Sequence, residues 1–126
     1  MRSFGLALHL KNDPQAIEKY KSHHRNVWPE VETALKRVGI TSMKIFLIGR
    51  KLFMYMETVD DFEPERDFPK YRQNHARCKQ WDELMQTFQE KIPEAAVDEW
   101  WALMEPVYEL QPDRSTQLPV LVRLWG

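Results

Sequence analysis

The first residues of the chain alternate between apolar side chains and polar or small ones. The apolar positions are Phe4, Leu6, Leu8 and Leu10, and the residues between them are Gly5, Ala7 and His9. This two-residue period predicts a first strand. Asp13 and Pro14 then predict the start of a helix, because Asp is a good N-cap and the fixed φ of proline suits the first helical position.

The segment after Pro14 repeats its apolar residues at spacings of three and four, which is the period of one helix face. The residues on this stripe are Ile17, Tyr20, His24, Val27, Trp28, Val31, Ala34, Leu35 and Val38. Gly39 predicts the end of the helix. Because the ring of Pro29 clashes with the carbonyl four residues earlier, we expect a kink or break near Trp28.

The rest of the chain predicts a hairpin, a second helix and a last strand. Apolar segments 43–48 and 52–58 flank Gly49-Arg50-Lys51, a pattern typical of two strands joined by a tight turn. Segment 60–70 is polar and contains proline, so we expect a loop there, with room for a short helix. A second amphipathic helix is predicted to run from about Cys78 to Ile92, and residues 100–110 are predicted to supply the last strand.

The predicted order is β-α-β-β-α-β, the ferredoxin-like α+β arrangement of an antiparallel sheet with helices on one face. The other face of such a sheet must be covered by a ligand pocket, a partner subunit or both. Pairing of two sheets into a dimeric α+β barrel, and therefore a homodimer, is the expected solution. We expect residues 1–110 to form the domain and residues 111–126 to form a C-terminal extension, whose packing the sequence leaves open.

Length and charge exclude several classes of function. A chain of 126 residues with a net charge of −1 is expected to form one domain and gives no reason to expect a nucleic acid or an anionic membrane as partner. No apolar segment approaches the length of a membrane span or a signal sequence, so a cytoplasmic location is expected by default. The single cysteine, Cys78, cannot form an intrachain disulfide, which agrees with a reducing compartment.

His24 is the polar exception on the apolar stripe of the first helix. A buried titratable side chain needs a hydrogen-bond partner or must face a cavity. Two interpretations remain open: a core histidine bonded to a backbone carbonyl, or a general acid/base, since imidazole titrates near neutrality. The neighbouring His23 points about 100° away around the helix and is expected at the surface.

Neither a metal ion nor a cofactor is expected. His23 and His24 are adjacent, so they cannot both face one ion on a regular helix, and His9 and His75 have no ligand-like spacing to them. The sequence has no glycine-rich phosphate loop and no dinucleotide fingerprint.

Tyr20, Trp28 and Trp81 also lie on inward helix faces, where each taken alone is an ordinary core residue. Together with His24 they describe a proton shuttle beside aromatic planes, and such planes stack on the apolar C–H faces of sugars. Asp82 borders the face of Trp81, where its carboxylate would accept hydrogen bonds from sugar hydroxyls. The alternative for Asp82 is a solvated or ion-paired surface charge.

Residues 20–30 resemble a motif of the L-rhamnose mutarotase family, Tyr-x3-His-x3-Trp-Pro-Glu. The hairpin resembles the family's strands. Cys78 and Trp81 resemble its Cys-x-x-Trp helix, and residues 105–110 resemble its terminal strand. The resemblance spans about residues 3–110.

This resemblance implies a ferredoxin-like dimer without metal or coenzyme, with His24 as proton donor and with Tyr20 and Trp81 binding the sugar. Two positions of the sugar pocket depart from the rhamnose enzymes: Met43 replaces a tyrosine, and Asp82 replaces a second consecutive tryptophan. The sequence therefore predicts a mutarotase that interconverts the anomers of a 6-deoxy-L-hexose, with L-fucose favoured over L-rhamnose.

Two other classes share the predicted topology. One is a cofactor-independent monooxygenase or a haem-handling dimeric α+β barrel, which also carries an inward histidine. The other is a non-catalytic sugar sensor or structural dimer. Topology alone does not decide among them, and the motif around His24 favours the mutarotase.

Overall fold

Antiparallel strands form one sheet, with helices packed on one of its faces. The computed structural model describes residues 1–111, so all of the predicted extension except Gln111 lies outside the described residues. In chain order the elements are β1 (Arg2–Leu10), α1 (Pro14–His24), α2 (Pro29–Arg37), β2 (Ile40–Ile48), β3 (Lys51–Thr58), α3 (Pro64–Asn74), α4 (Ala76–Gln86), β4 (Gln89–Glu90) and β5 (Ala102–Leu103).

The strand order is β2-β3-β1-β4, and β5 pairs with β1 on the same side as β4. This topology confirms the predicted ferredoxin-like α+β fold. The predicted last strand over 100–110 is mostly wrong, because only Ala102–Leu103 pairs with β1. Gln89 and Glu90 fill the rest of that edge, and Pro106 has no N–H to continue a ladder.

The predicted break in the first helix is confirmed. α1 ends at His24 and α2 begins at Pro29, with Trp28 as its N-cap residue. Asp13 caps the start of α1, since its carboxylate accepts a hydrogen bond from the backbone N–H of Gln15 at 3.0 Å. The break therefore lies within the Tyr-x3-His-x3-Trp-Pro-Glu motif of residues 20–30.

The segment predicted as a loop with room for a short helix, 60–70, contains most of α3, which continues to Asn74. At the start of α3, Pro64 occupies the first helical position and the Asp67 carboxylate accepts a hydrogen bond of 2.8 Å from the backbone N–H of Glu63. Arg66 bonds the same carboxylate, and these contacts lower the pKa of Asp67 to about 2. α4 also ends earlier than predicted, at Gln86, after which the Thr87 hydroxyl donates to the Leu84 carbonyl.

The core lies between the sheet and the helices and consists of two clusters. The first core cluster contains Leu8, Leu10, Tyr20, Val31, Ala34, Leu52, Tyr71, Cys78, Trp81 and Met85. The second core cluster contains Leu6, Ile40, Met54, Met56 and Phe62. The first cluster contains the predicted site residues Tyr20 and Trp81, and Trp28 packs against it.

The opposite face of the sheet, which we call the open face, carries an apolar patch. Phe46 and Phe53 are paired across β2 and β3, and their rings stack with centroids 6.1 Å apart. Phe46 is 55% exposed and Phe53 is 39% exposed. Gly5 lies under Phe53, where a Cβ atom would come within 3.0 Å of the ring. Among residues 1–111, no helix is both long enough and apolar enough to cross a membrane.

Candidate active site

His24 is the last residue of α1, and its ring is half-buried. Its Nδ1 lies 2.8 Å from the backbone carbonyl oxygen of Tyr20. A carbonyl only accepts hydrogen bonds, so Nδ1 carries the proton and donates it. In the neutral ring the lone pair is therefore on Nε2, which is the nitrogen able to take up a proton.

The surroundings of His24 favour its neutral form. Burial lowers the pKa of His24 from its ordinary value of 6.5, and this is the largest effect. The hydrogen bond to the Tyr20 carbonyl acts in the opposite direction, and the nearby charge of His23 lowers the pKa further. At neutral pH the imidazole is accordingly a base.

Four side chains form an aromatic group around this ring: Tyr20, His24, Trp28 and Trp81. The ring centroid of His24 lies 4.2 Å from that of Tyr20 and 5.4 Å from that of Trp81, while Trp28 and Trp81 are 5.2 Å apart. Tyr20 and Trp81 are almost fully buried, whereas His24 and Trp28 are half-buried. The fold thus brings together these four residues from α1, the α1–α2 connection and α4.

Arg77 contacts the aromatic group at Trp28, and the sequence did not predict this contact. Its guanidinium lies 3.7 Å from the ring centre of Trp28, a cation–π contact, and 3.8 Å from the Glu30 carboxylate. The glutamate of the Trp-Pro-Glu sequence therefore holds Arg77 near the tryptophan of the same sequence. No sequence pattern around Arg77 predicts these contacts, because Trp28 and Glu30 are almost 50 residues away in the chain.

Gln89, a buried residue of β4 near Tyr20, is a second residue that the sequence did not reveal. Burial raises the pKa of Tyr20 to about 12, and a side-chain hydrogen bond with Gln89 partly offsets this. Gln89 Oε1 in turn accepts a hydrogen bond of 2.7 Å from Trp100 Nε1. The sequence analysis missed Gln89 because it predicted a helix as far as Ile92, whereas Gln89 lies on strand β4.

Asp82 lies next to Trp81 on α4 and contacts α3. Its Oδ2 is 3.3 Å from Arg72 Nε. Burial raises the pKa of Asp82 to about 6, while Arg72 and a side-chain hydrogen bond with Tyr71 lower it. The carboxylate is therefore half-buried and ion-paired, and it titrates closer to neutrality than an ordinary aspartate does.

Two residues lie differently from what the sequence suggests. Met43 pairs with Met56 on the neighbouring strand and packs against the second core cluster, so the fold does not bring it to the aromatic group. The predicted surface position of His23 is wrong, because its ring is half-buried, stacks on Phe88 at 5.7 Å and meets the edge of Trp81 at 6.2 Å. The early end of α4 brings Phe88 against the end of α1.

In the described part of the chain, no three side chains of His, Cys, Asp or Glu are grouped so that they could hold a metal ion together.

Comparison with known proteins identifies the family. The family model described as L-rhamnose mutarotase matches residues 3–110. The chain belongs to the L-rhamnose mutarotase family. It is 49% identical to a UPF0734 protein of Dictyostelium discoideum over 86% of this chain and 90% of that protein. It is 31% identical to an L-fucose mutarotase of Xanthomonas campestris pv. campestris, with 93% and 94% of the two chains covered.

An L-rhamnose mutarotase of Lactiplantibacillus plantarum is 28% identical, over 91% of this chain and 88% of that protein. Among solved structures, an L-rhamnose mutarotase from Formosa agariphila superposes with a TM-score of 0.64 at 20% identity, covering 88% of this chain and all of the other. Tetracenomycin F2 cyclase from Streptomyces glaucescens superposes with a TM-score of 0.66 at 15% identity, covering 90% of this chain and 100% of the cyclase. At these identities the superpositions show the fold alone.

The family assignment confirms two predictions, membership of the family and a sugar mutarotase activity, which is an isomerase activity. It does not favour the monooxygenase or haem-handling alternative.

Titration of His24 tests the electrostatic description of the site. In an NMR titration of the full chain we expect His24 to titrate below 6.5, because burial disfavours its charged form. His23→Gln should raise the His24 pKa, since it removes a neighbouring positive charge. His9→Gln, a change on the open face, should leave it unaltered. A His24 pKa above 6.5 in the unmodified protein would contradict this description.

Proposed function

We propose that this protein interconverts the α and β anomers of a 6-deoxy-L-hexose, with L-fucose favoured over L-rhamnose, and that His24 moves the protons. One observation carries the proposal: Nδ1 of His24 is fixed on the Tyr20 carbonyl at 2.8 Å, and the ring lies against Trp81. This leaves Nε2 as the proton-exchanging atom beside an indole plane.

Mutarotation requires two proton movements and one reversible bond cleavage. Nε2 of neutral His24 takes the proton of the anomeric hydroxyl, the bond from the anomeric carbon to the ring oxygen breaks, and an aldehyde forms. The ring oxygen receives a proton from the imidazolium. After the aldehyde turns over, the same movements in reverse close the ring on its other face, so no proton or electron is gained or lost. A single positioned acid/base contributes about 10²–10⁴-fold to such a step.

The neighbours of His24 suit a deoxy sugar. Trp81 and Trp28 offer apolar surface to the C–H face and the methyl group, and Tyr20 offers a hydroxyl. Because the rings of His24 and Trp81 already touch, we propose that the sugar docks from the half-exposed edge formed by His24 and Trp28. Binding then requires a small separation of these side chains.

The preference for L-fucose rests on Asp82. It stands where the rhamnose enzymes carry a second tryptophan, and a half-buried carboxylate beside Trp81 can accept hydrogen bonds from hydroxyls that an aromatic wall would exclude. Met43 is left out of the proposed contacts, because it packs in the second core cluster.

A homodimer is also part of the proposal. The open face carries the stacked pair Phe46 and Phe53, with Ile48 77% exposed beside them. Apolar patches on a sheet face are typical of protein interfaces, and two such faces would close into the α+β barrel. We further propose a cytoplasmic location, supported by Cys78, a buried free thiol.

His24→Ala tests the mechanism and the activity together. Anomer exchange of L-fucose and L-rhamnose is measured by exchange NMR with and without protein. We expect His24→Ala to fold and to lose about 10²-fold or more of the acceleration, whereas His9→Ala keeps it. In the unmodified protein the rate should fall as the pH drops through the His24 pKa, below 6.5, because a protonated Nε2 cannot accept the anomeric proton.

Unchanged exchange in His24→Ala would remove His24 from the mechanism. If the unmodified protein binds either sugar without accelerating exchange, it is a sugar binder and the mutarotase proposal is wrong.

Asp82→Trp tests the sugar preference. Restoring the consecutive tryptophans of the rhamnose enzymes should lower the ratio of kcat/KM for L-fucose to that for L-rhamnose by about 10-fold or more. Asp82→Asn is the matched control, since it keeps the shape and removes the charge. A ratio that stays the same in Asp82→Trp would show that this position does not select the sugar.

Phe53→Glu tests the dimer. A carboxylate in the middle of the open face should give a monomer by light scattering at a concentration where the unmodified protein is a dimer, because burying an unpaired charge is costly. Val97→Glu serves as control, since Val97 is 98% exposed outside the sheet. A monomeric unmodified protein, or a Phe53→Glu variant that stays dimeric, would disprove this interface.

A further inference from the structure

Helix α4 places two side chains against the ring of Trp28. Arg77 and Trp81 are four residues apart and therefore lie one turn apart on one face of α4. The guanidinium of Arg77 lies 3.7 Å from the ring centre of Trp28, and the Trp81 ring meets the Trp28 ring at 71° with centroids 5.2 Å apart. These two contacts restrain both the position and the tilt of the Trp28 ring.

Trp28 depends on such contacts because it lies at the break between α1 and α2. Its side chain is half-buried and forms no cap hydrogen bond with α2. A half-buried side chain can change rotamer at little packing cost unless its neighbours restrain it. Arg77 and Trp81 therefore restrain the ring at the half-exposed edge that it forms with His24.

Glu30 explains why the guanidinium stays on the ring. Its Oε2 lies 3.8 Å from Arg77 Nε, and within the described part of the chain this buried oxygen accepts no hydrogen bond. A carboxylate oxygen shielded from water needs a positive charge nearby, and the guanidinium supplies it. The next residue of α4 also contacts Glu30, since the Cys78 thiol lies 3.9 Å from the Glu30 backbone carbonyl oxygen. The ion pair and the cation–π contact therefore place the guanidinium at the same point.

We propose that Arg77 is a positioning residue that holds Trp28 on α4 as a fixed wall of the sugar site, and that Glu30 keeps its guanidinium in place. This inference rests on the proposed mutarotase function. Because Trp28 and Trp81 stay together, the opening that admits the sugar forms between these indoles and His24, not between the two indoles. Arg77 transfers no proton, so it acts on sugar binding and not on ring opening.

Arg77→Met tests this role. Methionine keeps an unbranched apolar side chain and removes the charge and the planar guanidinium. We expect KM for both L-fucose and L-rhamnose to rise about 3- to 10-fold with kcat little changed, because a ring that leaves its place lowers the fraction of protein ready to bind. Arg77→Lys retains the charge and should recover part of this affinity. Lys79→Met makes the same charge change at an exposed position of α4 and should leave KM unaltered.

The Trp28 indole gives a readout that does not depend on activity. In protein labelled with heavy nitrogen at tryptophan, the Trp28 Nε1–H signal is assigned from Trp28→Phe. Arg77→Met should shift this NMR signal, whereas Lys79→Met should not.

Glu30→Gln tests the second part of the proposal, since it keeps the size of the side chain and removes the charge. It should raise KM by a smaller factor than Arg77→Met. In the Arg77→Met background it should raise KM no further, because Glu30 acts on Trp28 only through Arg77. A purely structural contribution of Glu30 would be the same in both backgrounds.

A folded Arg77→Met variant with wild-type KM and an unmoved Trp28 signal would overturn the proposal, and so would one that loses kcat and keeps its KM. An effect of Glu30→Gln that is equally large with and without Arg77 would remove Glu30 from it. If Arg77→Met does not fold, Arg77→Lys and Glu30→Gln carry the same KM and Trp28 readouts. If the unmodified protein accelerates exchange of neither sugar, the proposed function is wrong, and the Trp28 signal still tests the contact with Arg77.

Discussion

One hydrogen bond within α1 determines what His24 can do. Its Nδ1 donates to the Tyr20 carbonyl, which fixes both the ring orientation and the position of the lone pair on Nε2. A helical side chain lies over the turn that precedes its own Cα, so a continuous helix would place residue 28 over His24. The break before Pro29 prevents this, and Trp28 packs on Trp81 instead. The helix end is therefore part of the site.

Burial acts on three titratable groups of the site, and in each it opposes the charged form. It lowers the pKa of His24, raises that of Tyr20 to about 12 and raises that of Asp82 to about 6. At neutral pH His24 and Tyr20 are thus uncharged, and the charge of Asp82 is balanced by Arg72. Such a site suits a neutral cyclic hemiacetal, whose ring opening needs proton transfer but no strong fixed charge.

The sheet separates the aromatic group from the surface proposed for the dimer contact. The aromatic group lies on its helix-covered face, whereas Phe46 and Phe53 lie on the open face. Because consecutive residues of a strand point to opposite faces, neighbouring positions such as Leu52 and Phe53 belong to different surfaces. Changes in the proposed dimer contact can therefore be made without touching the side chains around His24.

The sequence by itself determined the first strand, the hairpin, the helix break at Pro29 and the placing of Tyr20 and His24 one turn apart on α1. These features depend on local spacing and on the geometry of proline, which act within a few residues. The sequence also indicated the family, because the motif over residues 20–30 lies in one continuous segment of the chain.

Only the tertiary structure decided which distant side chains meet this group. Arg77 reaches Trp28, and His23 packs on Phe88, through contacts between segments far apart in the chain. The length of α3 was not predicted, because its polar residues and internal Pro69 give no helical pattern, and the bond from the Glu63 N–H to the Asp67 carboxylate joins residues of the fold rather than a recognisable motif. Met43 shares a face with core residues, but its strand position assigns it to the other cluster. Periodicity specifies the face on which a residue lies, whereas strand register and helix ends specify its neighbours.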